Sequence, residues 1–421
     1  MTSRVLRPER LPTNTTTAAH PVHRWFNFIA GFSPEFVEMA CGTLPADASR
    51  EVLLDPFAGC GTALVVAATK GMTTIGYEAH PVFEKICRAK LPGPDALNQL
   101  EVIETAIVCG LSNAQPLSLL GEKSLIFLSK LLSPAALGQL LGGRQELSTR
   151  NLVDNPLAFL ILSKVLELSS HSATDGIYKA PTTTKRSLTP IKAAREACDV
   201  IRDDLEFLSH RDLGGRARVF GKSSESMTEL SDRTVSMVVT SPPYLNNFDY
   251  AEMTRMHLYF WGLASTWGEI TEKVRSRLIV NTTTALKGHK QLQDAYRGEL
   301  PGHMRRKLDE LVHALGEKRK IKAGKKEYDF LVYPYFAQMT RVLRECYRVM
   351  KTDAAIHIMV ADSALYGIDV STHKFLTCIL SEIGFTDVGY DFVRPRGHRW
   401  ILEKREGSKN GLGEYHIRAK R

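Results

Sequence analysis

The sequence predicts an α/β fold, and three observations lead to it. The apolar run Val52-Leu53-Leu54 stops at Asp55-Pro56-Phe57-Ala58-Gly59-Cys60-Gly61-Thr62, a glycine turn of the kind that leads a strand into a helix. A second apolar run, Val235-Ser236-Met237-Val238-Val239, stops at Thr240-Ser241-Pro242-Pro243-Tyr244. Around these two points strand-like and helix-like segments alternate along the chain, the pattern of strands joined by crossover helices.

At 421 residues the chain exceeds the usual size of one domain, so the expectation is a large core carrying insertions, or two domains. A formal charge of +9 favours an anionic partner. The seven cysteines show no CxxC spacing, which argues against a zinc site and a disulfide framework and predicts a reducing, cytoplasmic setting; no metal is expected. The first residues are polar and resemble no signal sequence, and no stretch is apolar enough to span a membrane.

Taken in order, residues 1–20 read as a flexible start and 21–90 as the first half of the core. Ser33 is placed to cap a helix with Pro34 at its first position. Residues 63–70 follow the glycine turn as a helix ended at Gly71, and Thr73-Thr74-Ile75-Gly76-Tyr77 reads as the next strand, with Glu78 at its end. Residues 91–213 are leucine-rich and helical, far longer than an ordinary connection, and read as an insertion. Within it, 124–141 and 156–168 are helical, 171–186 an exposed loop ending in Lys185-Arg186, and 191–208 the helix that returns to the core.

Residues 214–262 bring the strand Ala217-Arg218-Val219-Phe220 and the run that ends at Thr240. A second insertion, 263–327, carries Arg305-Arg306-Lys307 and a lysine-rich end reaching Lys326, either a phosphate contact or a solvated face. The remainder, 328–421, predicts a helix at 336–350, a strand at 354–360, a helix at 374–383, and a closing hairpin from 386–394 and 398–403.

The chemistry belongs at the two strand ends. Gly59 and Gly61 let backbone approach a ligand without side-chain hindrance, and an acid at the end of the next strand, Glu78, is placed to accept ribose hydroxyls. Proline cannot continue a ladder, so the chain must leave the sheet at Pro242 and present a carbonyl, a hydroxyl and a ring where open α/β sheets bind ligands.

These motifs together resemble the amino-methyltransferases, which methylate exocyclic amines of nucleic-acid bases with S-adenosylmethionine. The resemblance implies a Rossmann-like class I methyltransferase sheet with two largely helical or basic insertions. It implies a cofactor pocket of Asp55, Phe57, Gly59, Gly61, Thr62 and Glu78, completed by Phe26 in the segment around Trp25 and Phe32. Many relatives carry an acid after the third strand, where this chain has Lys222, so Ser223 or Ser224 would have to meet the adenine. The catalytic element is Ser241, Pro242, Pro243 and Tyr244: hydrogen bonds from the amine to the Pro242 carbonyl and Ser241 free its lone pair, and Tyr244 stacks on the extruded base.

Within the family a serine at the position of Ser241 is typical of enzymes acting on the N4 amine of cytosine, so the resemblance implies that amine in DNA; the chain has no Pro-Cys dipeptide for ring-carbon methylation. Adenine-N6 methylation, methylation of an RNA amine, and an inactive nucleic-acid-binding module are the alternatives. The implied partner is duplex DNA with a flipped base, with a companion restriction endonuclease allowed. Asn246, Lys185, Arg186, Arg305, Arg306 and Arg396 are the candidate nucleic-acid contacts, and Asp249 and Tyr250 either line the base pocket or open a capped helix.

Overall fold

The computed structural model describes residues 17, 19–28, 30–45, 47–174, 179–208, 211–321, 326–396 and 412–421. Its centre is a seven-stranded sheet. The strands along the chain are β1 (Val52–Asp55), β2 (Thr73–Tyr77), β3 (Ser172–Thr174), β4 (Lys179–Thr184), β5 (Ala217–Phe220), β6 (Val235–Thr240), β7 (Met350–Ala361), β8 (Ser363–Leu365), β9 (Ile368–Val370), β10 (Thr386–Pro395) and β11 (Gly413–Lys420). The central order is β10-β11-β7-β6-β1-β2-β5. From β5 to β7 every pairing is parallel, while β11 runs antiparallel to both β7 and β10.

Both faces of this sheet are covered, which is why β1 and β6 read as continuous apolar runs. Side chains alternate across the pleat. Leu53, Met237 and Val239 pack into one core with the helices Thr62–Thr69 and Pro81–Ala89 and the helices of the first long connection. Leu54, Ile75, Tyr77 and Val238 pack into the other with the helices Asp329–Val349 and Thr372–Ile383.

The connection between β2 and β5 holds the helices Ala96–Ser112, Glu122–Leu128, Pro134–Thr149, Pro156–Ser169 and Pro190–Phe207. The helix expected over 124–141 is broken at Ser133, which caps the next helix by accepting the Ala136 N–H, with Pro134 at its first position. The 171–186 segment, expected as a loop, carries the antiparallel pair β3 and β4. Its threonine run, Thr182-Thr183-Thr184, favours an extended backbone.

The closing hairpin also differs from expectation. β10 pairs with β11, so the returning strand is 413–420 and not 398–403, a range that lies outside the described residues together with most of the 1–20 start. The reason lies in the pattern of β11, where Ile417 and Ala419 alternate inward to the core.

Candidate active site

Strand order reverses direction between β1 and β6: the chain leaves β1 towards β2 on one side, and β6 towards β7 on the other. At such a switch point the loops after the two strands diverge and leave a crevice. Here it is a cleft lined by parts of both predicted motifs: Phe57, Gly59 and Glu78 on one wall, Ser241 and Pro243 on the other.

The glycine turn owes its shape to positive φ at Gly59 (52°) and Gly61 (85°). A Cβ at Gly59 would stand 3.2 Å from Phe28 Cε1, so a side chain there would crowd the ring that borders the cleft. Glu78 locks the turn from the next strand: its Oε2 accepts the Gly59 N–H at 2.7 Å and its Oε1 the His80 N–H at 2.8 Å. Each oxygen keeps a second lone pair for a ligand. Burial raises the Glu78 carboxyl to about 7 despite those two donors.

Asp55 lies beneath the cleft floor, fully buried, with Oδ1 accepting both the Phe57 N–H (3.0 Å) and the Thr240 hydroxyl (2.6 Å). Burial raises it to about 7 as well. Thr62 starts the helix that follows Gly61 and, like Gly61 and Asp55, does not border the cleft.

The upstream segment contributes a different residue from the one expected. Phe26 turns into the core, where its ring meets His257 at 5.6 Å, and Phe28 stands in the cleft against Phe83 (4.8 Å) and near Tyr250 (6.5 Å). Asp204 fixes this outcome from the returning helix, accepting the Val22 N–H (2.9 Å), Trp25 Nε1–H (2.8 Å) and Arg24 guanidinium (2.6 Å). Buried Lys90, lowered to about 8 by burial, donates to the carbonyls of His23 and Phe26.

His80 also borders the cleft, a residue the sequence did not single out. Its Nδ1 accepts the Val82 N–H (3.2 Å), so Nε2 carries the proton toward Thr254 Oγ1 (2.9 Å); burial lowers its pKa to about 3 and keeps the ring neutral. Arg277 closes the rim and donates to the Gly221 carbonyl. Lys222 lies on the wall with its ammonium 2.5 Å from Glu229, while the buried hydroxyl of Ser224 beside it has no hydrogen-bond partner among the described residues. The glycine cradle, the residual acceptor capacity of Glu78 and this orphaned hydroxyl suit a ligand bearing ribose and adenine.

On the opposite wall the proline-rich loop is anchored from outside. Tyr335 donates to the Pro243 carbonyl (2.9 Å), Asn281 Nδ2 to the carbonyls of Tyr244 (3.3 Å) and Phe248 (2.8 Å), and Ser363 to that of Leu245. Tyr244 lines a small neighbouring hollow with Phe32, Phe36 and Arg394. Burial raises its phenol pKa, and the Arg396 guanidinium lies 5.7 Å from its ring centre.

Several expected nucleic-acid contacts have protein partners. Arg396 donates to the Asp362 carbonyl and to Asn247 Oδ1, both at 2.9 Å, so it braces the loop. Asn246, at φ 51°, gives its N–H to the Asn281 carbonyl at 2.6 Å. Arg305 donates to the carbonyls of Gly298 and Leu300, and Lys185 Nζ to that of Glu167. Arg186 and Arg306 are exposed, and none of these borders the cleft. Lys322 and Lys325 lie outside the described residues. Asp249 resolves as a helix cap: it accepts the Glu252 N–H (3.1 Å) and pairs with buried Arg275 at 2.8 Å, whereas Tyr250 faces the cleft. Among the described residues no group of three potential metal ligands occurs, and no helix is long and apolar enough to cross a membrane.

Sheet order and cleft define a Rossmann-like methyltransferase fold. Comparison with known proteins agrees: the chain is 25% identical to the Type II methyltransferases M.AvaI of Nostoc sp. (strain PCC 7120) and of Anabaena variabilis, across 90% of its own length and 81% of theirs. It is 22% identical to the Type II methyltransferase M.BsoBI of Geobacillus stearothermophilus, across 94% of this chain and 83% of that one. No family model matches the chain.

Proposed function

We propose that the chain is a site-specific DNA methyltransferase that transfers the methyl group of S-adenosylmethionine to the N4 amine of cytosine. The observation that carries this reading is the convergence of Ser241 and Pro243 with Gly59 and Glu78 on one cleft. Similarity to Type II methyltransferases over nearly the whole chain supports the substrate class and the methyl donor, and the resemblance of the Ser241 motif to cytosine-N4 enzymes supports the cytosine amine. A companion restriction endonuclease belongs to the same proposal.

S-adenosylmethionine supplies an electrophilic methyl. Glu78 and the Gly59 turn would hold its ribose, Ser224 its adenine, and Phe28 and Phe57 would flank it. The chain's own contribution to the transfer is positioning and local electrostatics. An exocyclic amine is a weak nucleophile because its lone pair is shared with the ring. The Pro242 carbonyl and Ser241 hydroxyl accept its hydrogens and localise that pair. Tyr244, held over Arg396, stacks on the flipped base and offsets the loss of pairing and stacking in the duplex.

The test is incubation with methyl-labelled S-adenosylmethionine and either duplex DNA or RNA, wild type beside Tyr244→Ala. Label in DNA with wild type and its loss in Tyr244→Ala, cofactor affinity being kept, supports the reading. Label in RNA alone refutes it.

A further inference from the structure

A second depression of about 600 Å³ lies between the helix Glu122–Leu128 of the first insertion and the helices that follow the proline-rich loop. Its wall carries three cations, Lys123, Lys130 and Arg255, against one acid, Glu252.

Arg255 is the informative residue. Its guanidinium is held among three rings, 4.0 Å from the centre of Phe127, 5.1 Å from Tyr259 and 5.3 Å from Trp267, while its buried Nε has no hydrogen-bond partner among the described residues. Aromatic faces orient such a group without satisfying its donors, which match a phosphate in geometry. Lys123 and Lys130 are exposed, and Trp267 keeps 39% of its surface exposed.

The groove is joined to the cleft. Tyr250 faces the cleft, and Glu252 and Met253 of the same four-residue helix face the groove. Trp267 stacks on Arg275 at 4.2 Å, and Arg275 pairs with Asp249, which caps that helix.

We propose that this groove is a DNA-backbone site, in which Arg255, Lys123 and Lys130 hold phosphates beside the flipped nucleotide and Trp267 stacks on an adjacent base. It rests on the DNA reading above. Basic grooves interleaved with exposed rings bind nucleic acid in this way, with phosphate contacts setting the salt dependence.

The test measures binding of a labelled random-sequence duplex over a range of salt, together with S-adenosylmethionine affinity and methylation of unmethylated plasmid. In Lys123→Gln/Lys130→Gln the logarithmic salt slope should fall by about two and the affinity by roughly tenfold; in Arg255→Gln the slope should fall by about one. Trp267→Ala should weaken binding roughly fivefold or more. Cofactor affinity should remain at the wild-type value. If Arg255→Gln loses cofactor binding through misfolding, the exposed lysine pair decides. Wild-type slopes and affinities in the variants, with a wild type that methylates plasmid, overturn the groove alone. A wild type that labels RNA and not plasmid overturns the DNA reading and the groove together.

Discussion

The Thr240 hydroxyl donates to Asp55 Oδ1 across 2.6 Å, a fully buried hydrogen bond that ties the end of β6 to the end of β1. The loops that follow these two strands carry the two walls of the cleft, so this bond fixes their spacing at the sheet edge. Thr240→Val keeps the shape and removes the donor. It should cost about 1–3 kcal/mol of stability, read from denaturant unfolding, and weaken cofactor binding through the loosened Phe57 turn.

Burial holds Asp55 at about 7, above the roughly 4 of an unfolded aspartate. The native state therefore binds this proton more readily than the unfolded chain. Its contribution is fully present below about pH 4 and is lost as pH rises through 7. Both neighbouring donors use Oδ1, which an asparagine retains. Between pH 5 and 8 the wild type should lose more stability than Asp55→Asn; the unfolding midpoint at each pH measures the difference. Comparing the two chains cancels the opposing effect of buried His23 and His80, both lowered to about 3.

Glu78 titrates in the same window, and its ionised form is the better acceptor for ribose hydroxyls. Cofactor affinity should strengthen as pH rises from 6 to 8, and Glu78→Gln should flatten that dependence while weakening binding by roughly tenfold or more, as expected for loss of hydrogen bonds to a charged group. Calorimetric titration at several pH values reads both effects. A pH-independent wild type would remove Glu78 from the ligand contact.

Asp249 holds Arg275 with bonds of 3.2 Å and 3.0 Å from Nε and accepts the Thr284 hydroxyl at 2.7 Å. Breaking a buried pair leaves a charge without its partner, so Asp249→Ala should cost about 3–5 kcal/mol. Thermal unfolding should register that loss, while any residual methylation keeps its base preference.

The sequence made β1, β2, β5 and β6, the glycine turn and Glu78 legible, because buried parallel strands are apolar runs and turns need glycine. The 336–350 helix was found but begins earlier, at Asp329, with Pro334 inside its first turns. What stayed hidden depends on partners far along the chain. Phe28 takes the place assigned to Phe26 because Asp204 anchors Val22, Arg24 and Trp25 from about 180 residues away. The cap role of Asp249 is set by Arg275, and Arg396 is drawn to Asp362 and Asn247. The Arg255 groove gathers Phe127, Tyr259 and Trp267, residues with no common motif.

Methyl transfer to the cytosine amine is read by nucleoside analysis of duplex DNA incubated with the wild-type protein and labelled S-adenosylmethionine. The label should elute as N4-methylcytosine. Label in N6-methyladenine, in 5-methylcytosine, or in no DNA nucleoside would rule out transfer to the cytosine amine.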